Sequence, residues 1–149
     1  MSDPLITHPV RTLEPVQPEE QKTGEGHWTV VLVTFLRVMA VLSLLKGLYH
    51  WALVCSIVPG PRGVFESNTM SWQATTVFFA VIDLVAAVGL WLAAPWGAVV
   101  WLTSVISMAA VEALFPQIYG GRLWVIGIEV VLLLIYLWLA LQSAREQPP

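Results

Sequence analysis

The chain has 149 residues, of which 57% are hydrophobic and 11% charged, and its formal net charge is −3 at pH 7. Soluble domains carry roughly a quarter charged residues, so this composition excludes an ordinary soluble protein and predicts one that lies in lipid. The acidic balance excludes the basic surface that nucleic-acid binding requires. The single cysteine, Cys55, excludes an intramolecular disulfide and a cysteine-based metal site.

Residues 1–27 differ in composition from the rest of the chain. They are rich in proline and glutamate, and acidic residues outnumber basic ones. Such a segment has too little apolar surface to offset the entropy of ordering it. We therefore predict that residues 1–27 form a disordered acidic tail.

Four apolar runs follow the tail, at about residues 37–58, 74–92, 95–115 and 123–141. Each is close to the roughly 20 residues that an α-helix needs to cross about 30 Å of hydrocarbon. The predicted fold is all-α, an integral membrane four-helix bundle in residues 28–142 with a short C-terminal tail in residues 143–149. The lipid bilayer is then its first partner.

Breaks between the runs define the loops. Residues 59–63 (Pro-Gly-Pro-Arg-Gly) stop the first helix and begin the one sizeable loop. Pro95 suits the first turn of the third helix, so spans two and three form a tight hairpin. Pro116 and Gly120 end the third span and reverse the chain into the fourth.

Basic residues outside the spans, together with Arg37 at the entrance of the first span, predict the orientation. Four spans place both termini on one side of the membrane. Four basic residues lie on that side and two on the other: Arg11, Lys22, Arg37 and Arg145 against Arg62 and Arg122. By the positive-inside rule, both termini are predicted to be cytoplasmic.

Charged residues inside the spans are the most informative feature of the sequence. At 1.5 Å rise per residue, Lys46 in the first span and Asp83 in the second both lie within about 2 Å of the membrane midplane. A charge at that depth costs about 2.5–3.5 kcal/mol or more, so two opposite charges at one level are expected to be partners. We predict a contact between Lys46 and Asp83.

Three further ionisable residues lie on the loop side of this pair. The same arithmetic places Glu129 about 4 Å, His50 about 5 Å and Glu112 about 10 Å from the midplane, so they are predicted to form a second layer. Tyr49 or Tyr136 would extend this layer through a hydroxyl group.

This polar cluster (Lys46, His50, Asp83, Glu112 and Glu129) has three interpretations. In the first interpretation, its members neutralise and hydrogen-bond one another and so fix which helices are neighbours. Alternatively, they bind a small polar or anionic ligand or relay protons, since ionisable residues within membranes often mark such paths. In the third interpretation, they contact a partner subunit.

Other chemistry has little support in the sequence. His50 is the one histidine within the spans, so a haem held by two histidines is not expected. Glycine-rich phosphate loops and nucleophile elbows are absent from the sequence. The predictions are therefore no enzymatic activity, no cofactor and no metal.

Three short motifs carry a family resemblance. They are residues 35–37 (Phe-Leu-Arg), 44–48 (Leu-Leu-Lys-Gly-Leu) and 83–90 (Asp-Leu-Val-Ala-Ala-Val-Gly-Leu). They resemble the first two helices of the DoxX-like superfamily of small four-helix bacterial membrane proteins, with Asp83 where that superfamily more often has Glu. The chain also resembles uncharacterised small inner-membrane proteins of Gram-negative bacteria. The DoxX-like resemblance implies a link to membrane redox or quinone-associated complexes, and it transfers no site residues.

Three functions follow from these observations. The first is a non-enzymatic accessory or assembly subunit of a bacterial inner-membrane complex, with a membrane protein or a second copy of the chain as partner. The second is a small-ligand or proton-coupled carrier that uses the polar cluster. The third is a DoxX-like membrane redox component. Four short-looped helices leave little room for a translocation pathway, so the sequence favours the first.

Overall fold

A computed structural model describes residues 26–120 and 123–146 of the protein. Within them lie four long helices and one short one: α1 (His27–Val54), α2 (Met70–Trp91), α3 (Pro95–Leu114), α4 (Pro116–Tyr119) and α5 (Leu123–Glu146). The described part of the chain contains no β-strand beyond a single bridge between Gly60 and Gly63. The all-α prediction is confirmed. The predicted disordered tail lies outside the described residues, apart from its last two positions.

The four long helices have the length and composition of membrane spans. They contain 28, 22, 20 and 24 residues, with mean hydropathies of 2.2, 2.0, 1.7 and 2.4. At 1.5 Å rise per residue, even α3 covers the roughly 30 Å of a hydrocarbon core. The protein is therefore a membrane protein with four helices able to span a bilayer.

The ends of the helices correct four predicted boundaries. α2 begins at Met70 rather than at about residue 74, because the Thr69 side chain accepts a hydrogen bond from the backbone N–H of Trp72 and caps the helix. α1 begins at His27 rather than at about residue 37, because residues 28–36 are uncharged and contain no helix breaker. It ends at Val54 rather than at residue 58, because Ser56 adopts a left-handed conformation with φ 55°. α5 continues to Glu146, four residues into the predicted C-terminal tail (143–146), because that end bonds to α1.

Helix neighbours form a closed ring in the order α1, α2, α3, α5 and back to α1. The interface between α1 and α2 is the most extensive, and α5 packs least, with Leu139 and Ser143 as its buried residues. A Cβ atom at Gly47 would lie 2.9 Å from the side chain of Leu84, so glycine is what lets α1 and α2 approach this closely.

A tight hairpin joins α2 to α3, as predicted. Pro95 is at the first turn of α3, and Ala93 turns the chain with φ 50°. Gly89 and Gly97 touch through their backbones, since a Cβ atom at Gly89 would lie 2.4 Å from Gly97 Cα. These two glycines set the distance between the helices.

The start of α1 and the end of α5 lie side by side. The Glu146 carboxylate accepts hydrogen bonds from the backbone N–H groups of Trp28, at 3.1 Å, and Thr29, at 3.3 Å. The Thr29 and Ser143 hydroxyls are 3.0 Å apart. These contacts confirm that the start of the first span and the end of the last lie on the same side of the bundle, which we call the terminal face. The opposite side, which carries the loop between α1 and α2, is the loop face.

Candidate functional site

Lys46 stands between two carboxylates at the centre of the bundle. Its Nζ atom is 3.7 Å from Asp83 Oδ2 on α2 and 3.6 Å from Glu129 Oε1 on α5. The predicted contact between Lys46 and Asp83 is confirmed. Both distances exceed the roughly 2.7–2.9 Å of a charge-assisted hydrogen bond, so the ammonium bridges two loosely held partners.

Asp83 is the most deeply buried ionisable residue of the cluster, with 2% of its surface exposed. Its Oδ1 atom accepts a hydrogen bond of 2.5 Å from the Ser104 hydroxyl on α3. Its Oδ2 atom has no hydrogen-bond partner among the described residues, and the same holds for Glu129 Oε2. Two buried acceptors therefore face the interior without a donor.

His50 lies one helical turn beyond Lys46. Its Nδ1 atom is 2.9 Å from the Lys46 carbonyl oxygen, and because a carbonyl only accepts, Nδ1 carries the proton and donates it. The same nitrogen is 3.9 Å from Asp83 Oδ2. The Phe79 ring packs against this pair, with its centroid 5.7 Å from the His50 ring and 5.3 Å from Lys46 Nζ. An ammonium within about 6 Å of an aromatic ring gains a favourable cation–π contact.

Two adjoining cavities give access to these groups. The inner cavity, of about 130 Å³, is lined by both carboxylates and Lys46 together with Ser43, Trp101 and Ser104. The vestibule, of about 640 Å³, lies towards the loop face and is lined in part by Lys46, Tyr49, His50, Met108, Glu112 and Tyr119. Lys46 belongs to both walls, so it stands where the two cavities meet.

The terminal face of the inner cavity is closed by apolar side chains. A cluster of buried residues fills the bundle there: Leu36, Met39, Ala40, Ala86, Leu90, Trp101 and Val105. On α1 and α2 these residues lie nearer the terminal face than Lys46 and Asp83, and on α3 Trp101 lies nearer to it than Ser104. Towards the terminal face the interior next to the polar cluster is thus apolar, whereas the vestibule leads from the cluster towards the loop face.

The second layer is only partly as predicted. Glu129 contacts Lys46 directly instead of lying above it, because the rotation of α5 turns its carboxylate inward. Glu112 is buried, with 4% exposure, in the wall of the vestibule. Tyr49 is 55% exposed at the rim of the vestibule, and Tyr136 packs edge-on against Trp101, away from the charges.

Tyr119 supplies the hydroxyl that was expected from Tyr49 or Tyr136. It ends the short helix α4, its hydroxyl is 3.4 Å from Thr76 Oγ1, and its ring lies 6.4 Å from that of His50. Burial raises the pKa of Tyr119 above its ordinary value, so the hydroxyl stays protonated at neutral pH. Tyr119 therefore offers a neutral donor at the mouth of the site.

Sequence reasoning missed Ser104 and Tyr119. Ser104 had a usable signal, since it is one residue from the middle of the third span and so matches Asp83 in depth. Tyr119 had none, because it lies in a loop whose one-turn helix no periodicity predicts. Across the described residues, no three His, Cys, Asp or Glu side chains are grouped as a metal site.

The fold and the buried charges define a small α-helical membrane protein with an internal polar site. The chain belongs to a family of unknown function, DUF6163, whose model matches residues 30–147. No curated protein and no solved structure matches the chain. The resemblance to the DoxX-like superfamily stays a prediction, and function has to be argued from the site itself.

Proposed function

We propose that the protein is a non-enzymatic membrane protein that binds a small polar ligand in the inner cavity, which the ligand reaches through the vestibule. The observation that carries this proposal is the pair of buried carboxylate oxygens, Asp83 Oδ2 and Glu129 Oε2, that lack a donor within the described structure. Both residues line the inner cavity.

The energetic argument starts from the cost of such atoms. A buried acceptor without a partner costs about 1–3 kcal/mol, and more when it is charged. A cluster that only held helices together would be expected to close around its charges, whereas here both Lys46 distances are long and a cavity remains beside them. Hydrogen-bond donors from a ligand would remove this cost.

The apolar closure at the terminal face favours binding over transport through a single bundle. A conducting path would need polar or hydrated surface on both sides of Lys46. Residues on the terminal side are instead the apolar core, including Met39 and Trp101. The geometry therefore supports a one-sided pocket.

Cysteine accessibility tests this proposal. In a Cys55→Ser background, Met108→Cys places a thiol in the vestibule wall, and Ile106→Cys places one on the lipid-facing side of the same helix, where Ile106 is 64% exposed. Both variants are treated in proteoliposomes with two hydrophilic methanethiosulfonate reagents, one cationic (trimethylammonium-ethyl) and one anionic (sulfonato-ethyl). We expect modification of Met108→Cys and none of Ile106→Cys. Absence of reaction at Met108→Cys with both reagents would overturn the proposal.

An accessory-subunit role is the second candidate, and it was the first choice from the sequence. It is supported by α5, in whose most apolar stretch 6% of residues are buried, against 44% in α2. A helix so little covered by its own chain offers a face to a partner helix. Simultaneous alanine substitution of Val131, Leu134 and Trp138 should then abolish co-purification of a partner, whereas the matched change of Val81, Val85 and Val88 on α2 should not.

The remaining elements of the proposal concern location. We propose a bacterial inner membrane with both termini in the cytoplasm, which rests on the excess of basic residues that the sequence carries on the side of the two termini. Reporter fusions after Glu146 and within the loop around Arg62 should report opposite sides. For the DoxX-like redox alternative, the purified protein should show the absorption of a bound quinone or haem.

A further inference from the structure

We propose that the ligand of the inner cavity is a small ammonium-type cation, a monovalent species with N–H donors such as an alkylammonium or guanidinium ion. This inference rests on the proposed function, since it assumes that the cavity is a binding site. It identifies the class of ligand from the charge and the hydrogen-bonding needs of the cavity wall.

The charge of the inner cavity is the first step. Asp83 and Glu129 contribute two negative charges when ionised, and Lys46 contributes one positive charge, which leaves an excess of one negative charge. Glu112 lies further out in the vestibule and has interactions of its own, so the count does not use it. An anionic ligand would meet repulsion at close range in a medium of low dielectric constant. A monovalent cation balances the site.

Hydrogen bonding is the second step. Each carboxylate keeps one oxygen without a hydrogen bond among the described residues: Glu129 Oε2, and Asp83 Oδ2, whose contacts with Lys46 and His50 are 3.7 and 3.9 Å long. Asp83 is 2% exposed, so bulk water does not solvate it freely. The missing partner therefore carries N–H or O–H donors as well as positive charge. Hard divalent ions fit poorly, because they require about six oxygen ligands.

The walls and the volume suit a small organic cation. Trp101 lines the inner cavity, so an aromatic ring is available to a cation there. The inner cavity of about 130 Å³ is about ten times the roughly 10–15 Å³ that one water needs. The ammonium of Lys46 already lies between the two carboxylates, which shows that these groups accept an ammonium ion as a partner.

A proton is the competing source of the missing charge. The groups that face Asp83 are Lys46 and His50 on α1, Ser104 on α3 and Glu129 on α5, and a proton on His50 or Glu129 would also neutralise the site. If a proton supplies this charge, the site is already neutral, so an added amine should not bind there or change the labelling rates. The experiment below separates the two.

The test uses the Cys55→Ser, Met108→Cys protein in an amine-free buffer. We expect the cationic methanethiosulfonate reagent to react about tenfold faster than the anionic one, at the low end of the effect of charged clefts. Methylammonium, which would balance the charge of the inner cavity, should slow the cationic reagent and so remove its advantage over the anionic one. Tetramethylammonium, which has no N–H donor, and acetate should not. Glu129→Gln, which makes the inner cavity neutral, should abolish the charge preference and the protection, whereas Glu66→Gln in the exposed loop should preserve both.

The outcomes separate the two proposals. If neither reagent reacts with Met108→Cys, the pocket itself is wrong. If both react at equal rates and methylammonium gives no protection, the pocket stands and the cation inference is overturned, with a proton as the remaining source of charge. A faster anionic reagent overturns it as well. If Glu129→Gln fails to fold, the protein with Glu129 still decides the question. Protection by methylammonium, but not by tetramethylammonium or acetate, supports the cation inference, and no protection overturns it.

Discussion

Replacing Lys46 by Met should destabilise the protein more than replacing Asp83 by Asn. The structure explains the asymmetry, because Lys46 has two carboxylate partners, Asp83 at 3.7 Å and Glu129 at 3.6 Å. Asp83→Asn removes one of these ion pairs and leaves Lys46 paired with Glu129. At an effective dielectric constant of 20, each attraction is worth about 4 kcal/mol before the cost of desolvation. Lys46→Met removes both attractions and leaves two carboxylates facing each other.

The net effects are smaller than these gross terms. Lys46 is 31% exposed, so solvent screens both pairs. We expect a loss of about 3 kcal/mol for Lys46→Met, within the range for breaking a buried pair, and about half of that for Asp83→Asn. Denaturation by sodium dodecyl sulfate in mixed micelles, followed by tryptophan fluorescence, measures both.

The double variant completes the cycle, and Arg37→Met, exposed on the same helix, is the control with an expected change near zero. Because Glu129 stays without an ammonium, the double variant should not recover the stability of the original protein. Equal losses for the two single variants, or full recovery in the double variant, would refute the argument that Lys46 serves two carboxylates.

Three further predictions concern the rest of the bundle. Gly89→Ala should cost about 1–3 kcal/mol or more in the same assay, because its Cβ atom would lie 2.4 Å from Gly97 Cα, whereas Gly127→Ala, with open space around it, should be neutral or slightly stabilising; equal effects would contradict the backbone contact. Glu146→Ala removes the acceptor for the first N–H groups of α1 and should cost about 1 kcal/mol, whereas Arg145→Ala, exposed beside it, should cost less. Burial raises the pKa of Tyr119, so the fold disfavours its ionised form, and the stability that this hydroxyl contributes is present below about pH 10 and is lost as the pH rises through the pKa in the folded protein. Tyr119→Phe should remove a step above pH 10 from an ultraviolet titration of tyrosinate, and an unchanged titration would contradict the burial.

The pairing of Lys46 with Asp83 was predictable because it depends on few quantities. The rise of a helix is constant, and consecutive spans run in opposite directions, so two residues near the centres of their spans share a depth. Ala80 and Ala86, small residues near Asp83 at helical spacing, let a neighbouring helix approach closely. Gly47 against Leu84 is the contact that makes this approach possible.

What the sequence left open was rotation and irregular structure. Depth alone placed Glu129 in a second layer, but α5 is rotated so that the carboxylate points into the bundle, where the long Lys46 side chain contacts it. Tyr136 lies on nearly the same face of α5 as Glu129 but about 10 Å nearer the terminal face, so it contacts Trp101 and not the charges. Hydropathy placed the start of α1 at Arg37, although the uncharged residues before it continue the helix to His27.

The most direct test of the account is whether the polar cluster is reached from one face of the bundle. In the Cys55→Ser background, Met108→Cys probes the vestibule, and Leu36→Cys probes the apolar closure near the terminal face. Both are treated with the cationic methanethiosulfonate reagent in detergent, where the two faces are equally accessible. A one-sided pocket predicts rapid modification of Met108→Cys and none of Leu36→Cys. Comparable modification of both would mean that a hydrated path crosses the bundle, and it would contradict the account.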